Sequence, residues 1–199
     1  MVILDIILAS NNQGKVKEFK RILKQFDINV ISLKDINYNQ EIVEDGNSFF
    51  ENAFIKAKTI HEFTNLPVIS DDSGICVDYL NGEPGIYSAR YYGVASDDGR
   101  NELLLKLMDG VSNRNAHFHC SIVLYLSKDK YYEFSGQVYG KLSHEIKGTN
   151  GFGYDSIFIP NGYQETFGIL DIEIKNEISH RALAIKKLVE FFENDFSNK

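Results

Sequence analysis

What this chain lacks narrows its class. It has two cysteines, three prolines and no tryptophan in 199 residues. Cys76 and Cys120 are too few for a disulfide framework, and neither stands in a Cys-x-x-Cys pair. Both read as reduced core residues of a cytoplasmic protein. Long apolar runs are missing: no window approaches the roughly 18 residues that a membrane span needs. The N-terminal run, Val2 to Leu8, is broken by Asp5 and preceded by no basic residue, so it reads as a strand and not as a signal sequence. Positive charge is scarce too, with 21 Lys and Arg against 28 Asp and Glu and a net charge of −7. That balance excludes a general nucleic-acid binder, which needs a basic face, but leaves room for a single nucleotide. The remainder, 43% hydrophobic and 25% charged, is ordinary for a soluble globular protein. Residues 1–199 read as one domain of two lobes with no separable linker.

The segment Ser10-Asn11-Asn12-Gln13-Gly14-Lys15 ends the first apolar run, and a helical pattern (Val16, Phe19, Ile22, Leu23, Phe26) starts at once behind it. A strand, a polar turn and a helix N-terminus together offer free backbone N–H groups and a positive dipole end, which suit phosphate. Ser10 and Asn12 can donate hydrogen bonds and Lys15 adds a charge. Ala9 and Val16 rule out a Walker A loop. An ordinary capped turn with a solvated lysine accounts for the segment equally well.

Further along, Ile28–Leu33 reads as a strand and Ser48-Phe49-Phe50-Glu51 as a capping box opening a helix to about Phe63, with Phe50, Ala53, Phe54, Ala57 and Ile60 inward. Val68-Ile69 reads as a short strand ending at Ser70-Asp71-Asp72-Ser73-Gly74, and Ile75–Leu80 as another. Asp97 or Asp98 caps a third helix through Met108. Two long strands, His117–Leu126 and Tyr131–Leu142, form a meander. A glycine-rich loop, Gly148 to Asp155, precedes a short strand up to Pro160. Ser179 caps a last helix to about Phe196, with Ala182, Ile185, Leu188, Val189, Phe192 and Phe196 inward. The pattern is α/β, a mixed sheet with helices packed around it.

Three groups carry chemistry. Glu44, Asp71 and Asp72 can hold Mg²⁺, and one of the two aspartates can orient or deprotonate a water; an Asx turn before Ser73 is the plain alternative. Lys175 and Ser179-His180-Arg181 gather donors at the start of the last helix, where exposed first-turn residues would look the same. In the glycine-rich loop, Phe152 and Tyr154 are aromatics that can stack on a base. Lys56 and Arg90 can reach phosphate or serve as surface ion-pair partners. His61, His117, His119 and His144 show no metal-ligand spacing.

Six segments in order, Ser10–Lys15, Ser48–Ala53, Asp71–Gly74, Pro84–Arg90, Gly151–Asp155 and Ile178–Arg181, resemble the inosine triphosphate pyrophosphatase family over residues 3 to about 190. The resemblance implies an elongated mixed sheet flanked by helices, two lobes with a central cleft, and a homodimer. It implies Mg²⁺-dependent hydrolysis of inosine, deoxyinosine and xanthosine triphosphates (ITP, dITP, XTP) between the α and β phosphates, in preference to ATP and GTP, which clears the pool of damaged nucleotides. Carried over, Ser10, Asn11, Asn12, Gln13, Gly14 and Lys15 bind the triphosphate, with Lys56 near it. Glu44 and Asp72 serve the metal, Asp72 is the proton acceptor, and Ser73 touches substrate. Phe152, Gly153, Tyr154, Asp155, Lys175, His180 and Arg181 enclose the base. The chain departs from the family pattern at Asp45 (often Thr), Ser156 (usually Pro) and Ile174 (usually Glu).

Chemistry supplies reasons for the expectation. A 6-oxopurine presents an acceptor where adenine presents an amine, so a pocket of donors is left partly unpaired by adenine, a mismatch that can discriminate by roughly 10⁴–10⁵. Exclusion of GTP rests on the resemblance alone. Two rivals are a pyrophosphatase for pyrimidine or methylated nucleotides, which lacks Ser179-His180-Arg181, and a non-catalytic nucleotide sensor, which has no need of the carboxylates.

Overall fold

The computed structural model describes residues 4–196. The order of elements is β1 (Leu4–Leu8), α1 (Gln13–Leu23), β2 (Ile28–Ser32), α2 (Phe49–Thr64), β3 (Val68–Val77), α3 (Asp97–Leu107), β4 (Asn115–Ser127), β5 (Lys130–Leu142), β6 (Phe158–Pro160), α4 (Ile172–Ile178) and α5 (His180–Phe196). The strands make one mixed sheet of six in the order β2-β1-β3-β4-β5-β6. β1 is parallel to β2, Leu4 opposite Ile28, and parallel to β3, Ile7 opposite Val68. Parallel neighbours need crossovers, which α1 and α2 provide. β6 is antiparallel to β5, Leu142 opposite Phe158.

The chain falls into two compact units. The first holds residues 1–72, 121–135 and 184–199, the second 73–120 and 136–183, so β3, β4 and β5 each carry residues of both. In the first unit Ala53, Ala57 and Ile60 of α2 are fully buried with Ile7, Val68 and Val123. The alanines let the helix lie close to the strands, and burying such side chains contributes about 25 cal/mol per Å² of apolar surface. The second unit has its own core of Ile75, Val77, Leu104, Met108, Phe118, Phe158 and Phe167.

The expected α/β class and mixed sheet are present. Four local expectations need correction. First, Val68-Ile69 and Ile75–Leu80 are not two strands: β3 runs unbroken through Asp71, Asp72 and Gly74, and residues 78–80 are a 3-10 turn. The Ser-Asp-Asp-Ser-Gly composition suits a local turn, but partners elsewhere take these side chains. Ser70 Oγ donates to the Ala53 carbonyl at 2.5 Å, Asp71 meets Lys15, and Asp72 meets Asn52. Gly74 lets residues 85–88 cross closely, since a Cβ there would sit 2.3 Å from the Gly85 carbonyl oxygen. The Asx-turn alternative is therefore overturned.

Second, α3 is capped by Ser96, whose side chain accepts from the Gly99 N–H, so Asp97 and Asp98 lie inside its first turn. Third, the capping box is shifted: Ser48 accepts from Glu51 N–H, but the Glu51 carboxylate reaches back to Asn47 N–H. Fourth, Lys175 does not stand at the start of the last helix but on a separate helix, α4, which the sequence reading missed. Ser179 caps α5 as expected, accepting from Ala182 N–H at 3.2 Å. The placements of Val2 and of the Phe196 side chain lie outside the described residues.

Candidate functional site

The turn after β1 is built by its own polar side chains. Ser10 Oγ accepts from Asn12 N–H at 3.2 Å, and Asn12 Oδ1 accepts from Lys15 N–H at 3.2 Å, which caps α1. Both side chains were expected as donors toward a ligand; here each accepts from its own turn. Asn11 is exposed, while Gln13 and Gly14 are described only through their backbone in α1. Lys15 Nζ lies 2.7 Å from the buried Asp71 carboxylate, so its charge is held in place and not merely solvated.

A second lysine organises the remaining carboxylates. Lys56, from α2, places its ammonium 2.8 Å from Glu44 and 3.7 Å from Asp72. Asn52, one helical turn earlier and fully buried, donates to Asp72 Oδ2 at 3.1 Å and accepts from Gly46 N–H at 2.9 Å. One amide thus ties the acidic loop to Asp72. Residues four apart share a helix face, and that spacing of Asn52 and Lys56 was the signal that could have found Asn52 in the sequence.

Burial pushes the Asp72 carboxyl above its ordinary value against the pull of Lys56 and Asn52, with Glu44 and Asp71 repelling a further negative charge. For Lys56 burial acts downward, but Asp72, Glu44 and Asp71 outweigh it and hold the ammonium above the usual range. Such a cluster has one lysine charged through neutral pH and one carboxylate unusually ready to take a proton. A hollow of about 280 Å³ adjoins it, lined among others by Ser10, Asn11, Lys15, Glu44, Lys56 and Asp71.

The second group of expected residues lies in the other unit. Lys175 on α4 is ion-paired with the buried Asp155, which also accepts from Phe152 N–H at 2.8 Å. Burial raises the Asp155 carboxyl, and Lys175 opposes it most. Phe152 is 55% exposed, with Lys175 Nζ 4.8 Å and Arg181 Cζ 5.7 Å from its ring centre. One face of a half-exposed ring among cations can take a second flat group. Arg181 donates to Ser73 Oγ at 3.0 Å. His180 is buried and stacks on Phe118 at 4.8 Å and 11°.

Tyr154 is buried with its hydroxyl donating to the Ser88 carbonyl at 2.9 Å, so it anchors the loop from behind. Gly153 has both backbone polar groups occupied, its N–H by Asp97 at 2.7 Å and its carbonyl by Asn101 at 2.9 Å. Asp97 and Asn101 were not anticipated as partners of this loop. Arg90 lies over the Tyr87 ring at 5.5 Å, and Tyr91 is buried whereas Tyr87 and Tyr92 are exposed.

A larger hollow of about 470 Å³, around Arg114, Lys141 and His144, contains none of these groups. Arg114 spends its guanidinium on the carbonyls of Leu142, Met108 and Ser143. The chemistry, not the size, marks the smaller hollow as the candidate site.

Comparisons with known proteins bear on the family of the whole chain. Residues 6–191 match the model of the Ham1 family. The chain is 48% identical to a dITP/XTP pyrophosphatase of Listeria innocua over 186 residues, 92% of each chain. It is 41% identical to a protein of the same name from Bacillus subtilis, covering 97% of this chain and 99% of that one. Among solved structures, the Staphylococcus aureus Ham1 protein superposes with a TM-score of 0.91 at 41% identity, covering 96% of this chain and 99% of that one. A HAM1 protein from Coxiella burnetii gives 0.90 at 37% identity, covering 94% and 98%. With a match of this extent and this set of side chains, the chain belongs to the Ham1 family.

Proposed function

We propose that this chain hydrolyses non-canonical purine nucleoside triphosphates, ITP, dITP and XTP, to the monophosphate and pyrophosphate. The observation that carries the reading is the carboxylate–lysine cluster of Glu44, Asp71, Asp72, Lys15 and Lys56 beside the Ser10–Lys15 turn. Its support from outside is the shared name of the relatives, dITP/XTP pyrophosphatase.

In this reading Lys15 and the first turn of α1 hold phosphate oxygens, and Lys56 adds a second positive charge. The Asp72 carboxylate accepts a proton from the water that attacks the α-phosphorus. The bond from that phosphorus to the bridging oxygen breaks, and pyrophosphate leaves. Burial raises the Asp72 carboxyl, which favours proton uptake there, and general-base assistance is worth roughly 10²–10⁴ in rate. Most of the remaining barrier is lowered by positioning and charge neutralisation.

Mg²⁺ belongs to the same proposal. Glu44 and Asp72 converge on the Lys56 ammonium, at 2.8 and 3.7 Å. Hard carboxylate oxygens brought together in this way fit a hard dication, and Glu44 and Asp72 are the residues to hold it. A bound Mg²⁺ supplies neutralisation of phosphate charge and polarisation of the phosphoryl oxygens.

Phe152 offers its open ring face to the purine, and Lys175, His180 and Arg181 offer donors to the 6-oxo group. The single-domain organisation, homodimer and cytoplasmic location remain part of the proposal. No disulfide joins Cys76 and Cys120, and among the described residues no helix is long and apolar enough to cross a membrane. Sedimentation velocity decides the dimer.

Hydrolysis in ¹⁸O-labelled water tests the chemistry. The label is expected in the monophosphate, with Mg²⁺ required and EDTA abolishing turnover; label in pyrophosphate, or release of orthophosphate, would sink the reading.

A further inference from the structure

The loop that carries Phe152 ought to be loose. Gly148, Gly151 and Gly153 all have positive φ, at +79°, +80° and +63°, where few side chains are tolerated and the unfolded chain loses most entropy on ordering. Ordering such a backbone costs conformational entropy, so a ring on this loop is a poor stacking platform unless something fixes it beforehand. The structure contains a fixture, and it comes from another element of the same unit.

Asp97 and Asn101 stand one turn apart on α3 and take hold of the two backbone polar groups of one residue, Gly153. The Asp97 carboxylate accepts from Gly153 N–H at 2.7 Å, and the Asn101 amide donates to the Gly153 carbonyl at 2.9 Å. Asn101 also donates to Ser156 Oγ at 3.0 Å, so its two amide hydrogens bracket the loop at residues 153 and 156. The orientation of that amide is dictated, because the Gly153 carbonyl can only accept.

Asp97 is itself held by Arg100, which is buried and donates to the Val94 and Ala95 carbonyls at 2.7 and 2.8 Å. A carboxylate positioned in this way and bonded to an amide gives a charge-assisted hydrogen bond, stronger than a neutral one. On either side of the clasp the loop carries Phe152, whose ring is open, and Asp155, which holds Lys175. Ser156 is the position at which the family usually has proline, and its hydroxyl is used here by Asn101.

We propose that Asp97 and Asn101 are positioning residues for base discrimination: a helix-borne clasp on Gly153 fixes Phe152 and the Asp155–Lys175 pair before the nucleotide arrives. The inference rests on the reading of Phe152 and Lys175 as base-contacting groups. Neither clasp residue is a catalytic residue. Loss of the clasp therefore weakens binding of a preferred base more than it slows the bond-breaking step.

The test compares kcat and KM for ITP and ATP in wild type, Asp97→Ala, Asp97→Asn, Asn101→Ala and Ser156→Ala, each checked for an unchanged fold by thermal melting. Asp97→Ala and Asn101→Ala are expected to raise KM for ITP and to shrink the ITP/ATP ratio of kcat/KM by about tenfold, the scale of one such hydrogen bond, with kcat changed far less. Asp97→Asn keeps an acceptor for Gly153 and is expected to restore most of the ratio; Ser156→Ala loses only the outer bond and falls between.

Amide hydrogen exchange gives a reading that does not depend on activity. The Gly153 N–H of wild type is expected to be protected despite its loop position, and to lose protection in Asp97→Ala. A wild-type enzyme that does not distinguish ITP from ATP overturns the base-contacting reading. A discriminating wild type with unchanged ratios in both alanine variants overturns the clasp alone, as does exchange of Gly153 at the rate of an open loop.

Discussion

The two groups of candidate residues are held by opposite means. Around Asp72 all the charged side chains but Glu44, which lies on the acidic loop, sit on regular elements and restrain one another: Lys56 from α2, Asp71 and Asp72 from β3, Lys15 from α1. Around Phe152 the ring and Asp155 ride on an irregular loop whose backbone is gripped by side chains of α3 and anchored by Tyr154, while Lys175 comes from α4 and His180 and Arg181 from α5. The first arrangement suits chemistry, because ion-paired carboxylates and lysines on rigid elements are preorganised. The second suits recognition, because the loop presents the Phe152 ring while its Asp155 holds Lys175, from α4, beside that ring. Changes in the first group should therefore act on turnover, and changes in the second on choice of base.

Asp72→Asn is the strongest way to break that division. Turnover is expected to fall by roughly 10²–10⁴ while nucleotide binding survives, read from steady-state rates and from titration of a non-hydrolysable analogue. The same variant should melt at a higher temperature in metal-free buffer. A carboxyl raised in the folded state costs nothing below the ordinary value of 3.8 and destabilises increasingly as pH rises through its folded value. The stability gap between the variant and wild type should accordingly open with rising pH; a variant less stable than wild type at neutral pH contradicts this account.

Next in size is Lys175→Ala, which leaves Asp155 buried without its partner at a cost of about 3–5 kcal/mol. Adding Asp155→Asn should recover much of the melting temperature but not the preference for ITP over ATP. Recovery of both would mean that Lys175 serves stability alone. Gly151→Ala should cost about 2 kcal/mol, since its φ is +80° and a Cβ would sit 2.1 Å from Asp155 Oδ2. It is expected to lower base discrimination with turnover on ATP little altered.

Ser73→Ala is the smallest perturbation. It removes one hydrogen bond from Arg181 and should lower stability by about 1 kcal/mol or less in denaturant titration. A much larger loss would show Arg181 to be a keystone of the unit rather than a ligand-facing group.

How far the sequence carried the reading follows the same division. Element types were legible where apolar periodicity was strong, as in α1, α2 and α5, because burial decides those segments. The carboxylates and lysines near Asp72 were legible as residue types. Their pairing was not: a chain of letters does not show that Asp71 takes Lys15 while Asp72 shares Lys56 with Glu44. β3 was misread because Ser70–Gly74 has turn composition and its partners come from α1, α2 and residues 85–88. α4 was missed because seven residues with none buried give no apolar stripe. The clasp was out of reach because Asp97 and Gly153 lie 56 residues apart and meet through a backbone group, which leaves no mark on side-chain pattern.

The most direct test of the account measures pyrophosphate release from ITP, dITP, XTP, GTP and ATP side by side with Mg²⁺ present. The account predicts rates for ITP, dITP and XTP about a hundredfold or more above that for ATP, the minimum expected of a donor pocket that adenine leaves unpaired. Equal rates for ITP and ATP, or nucleotide binding without pyrophosphate release, would contradict it.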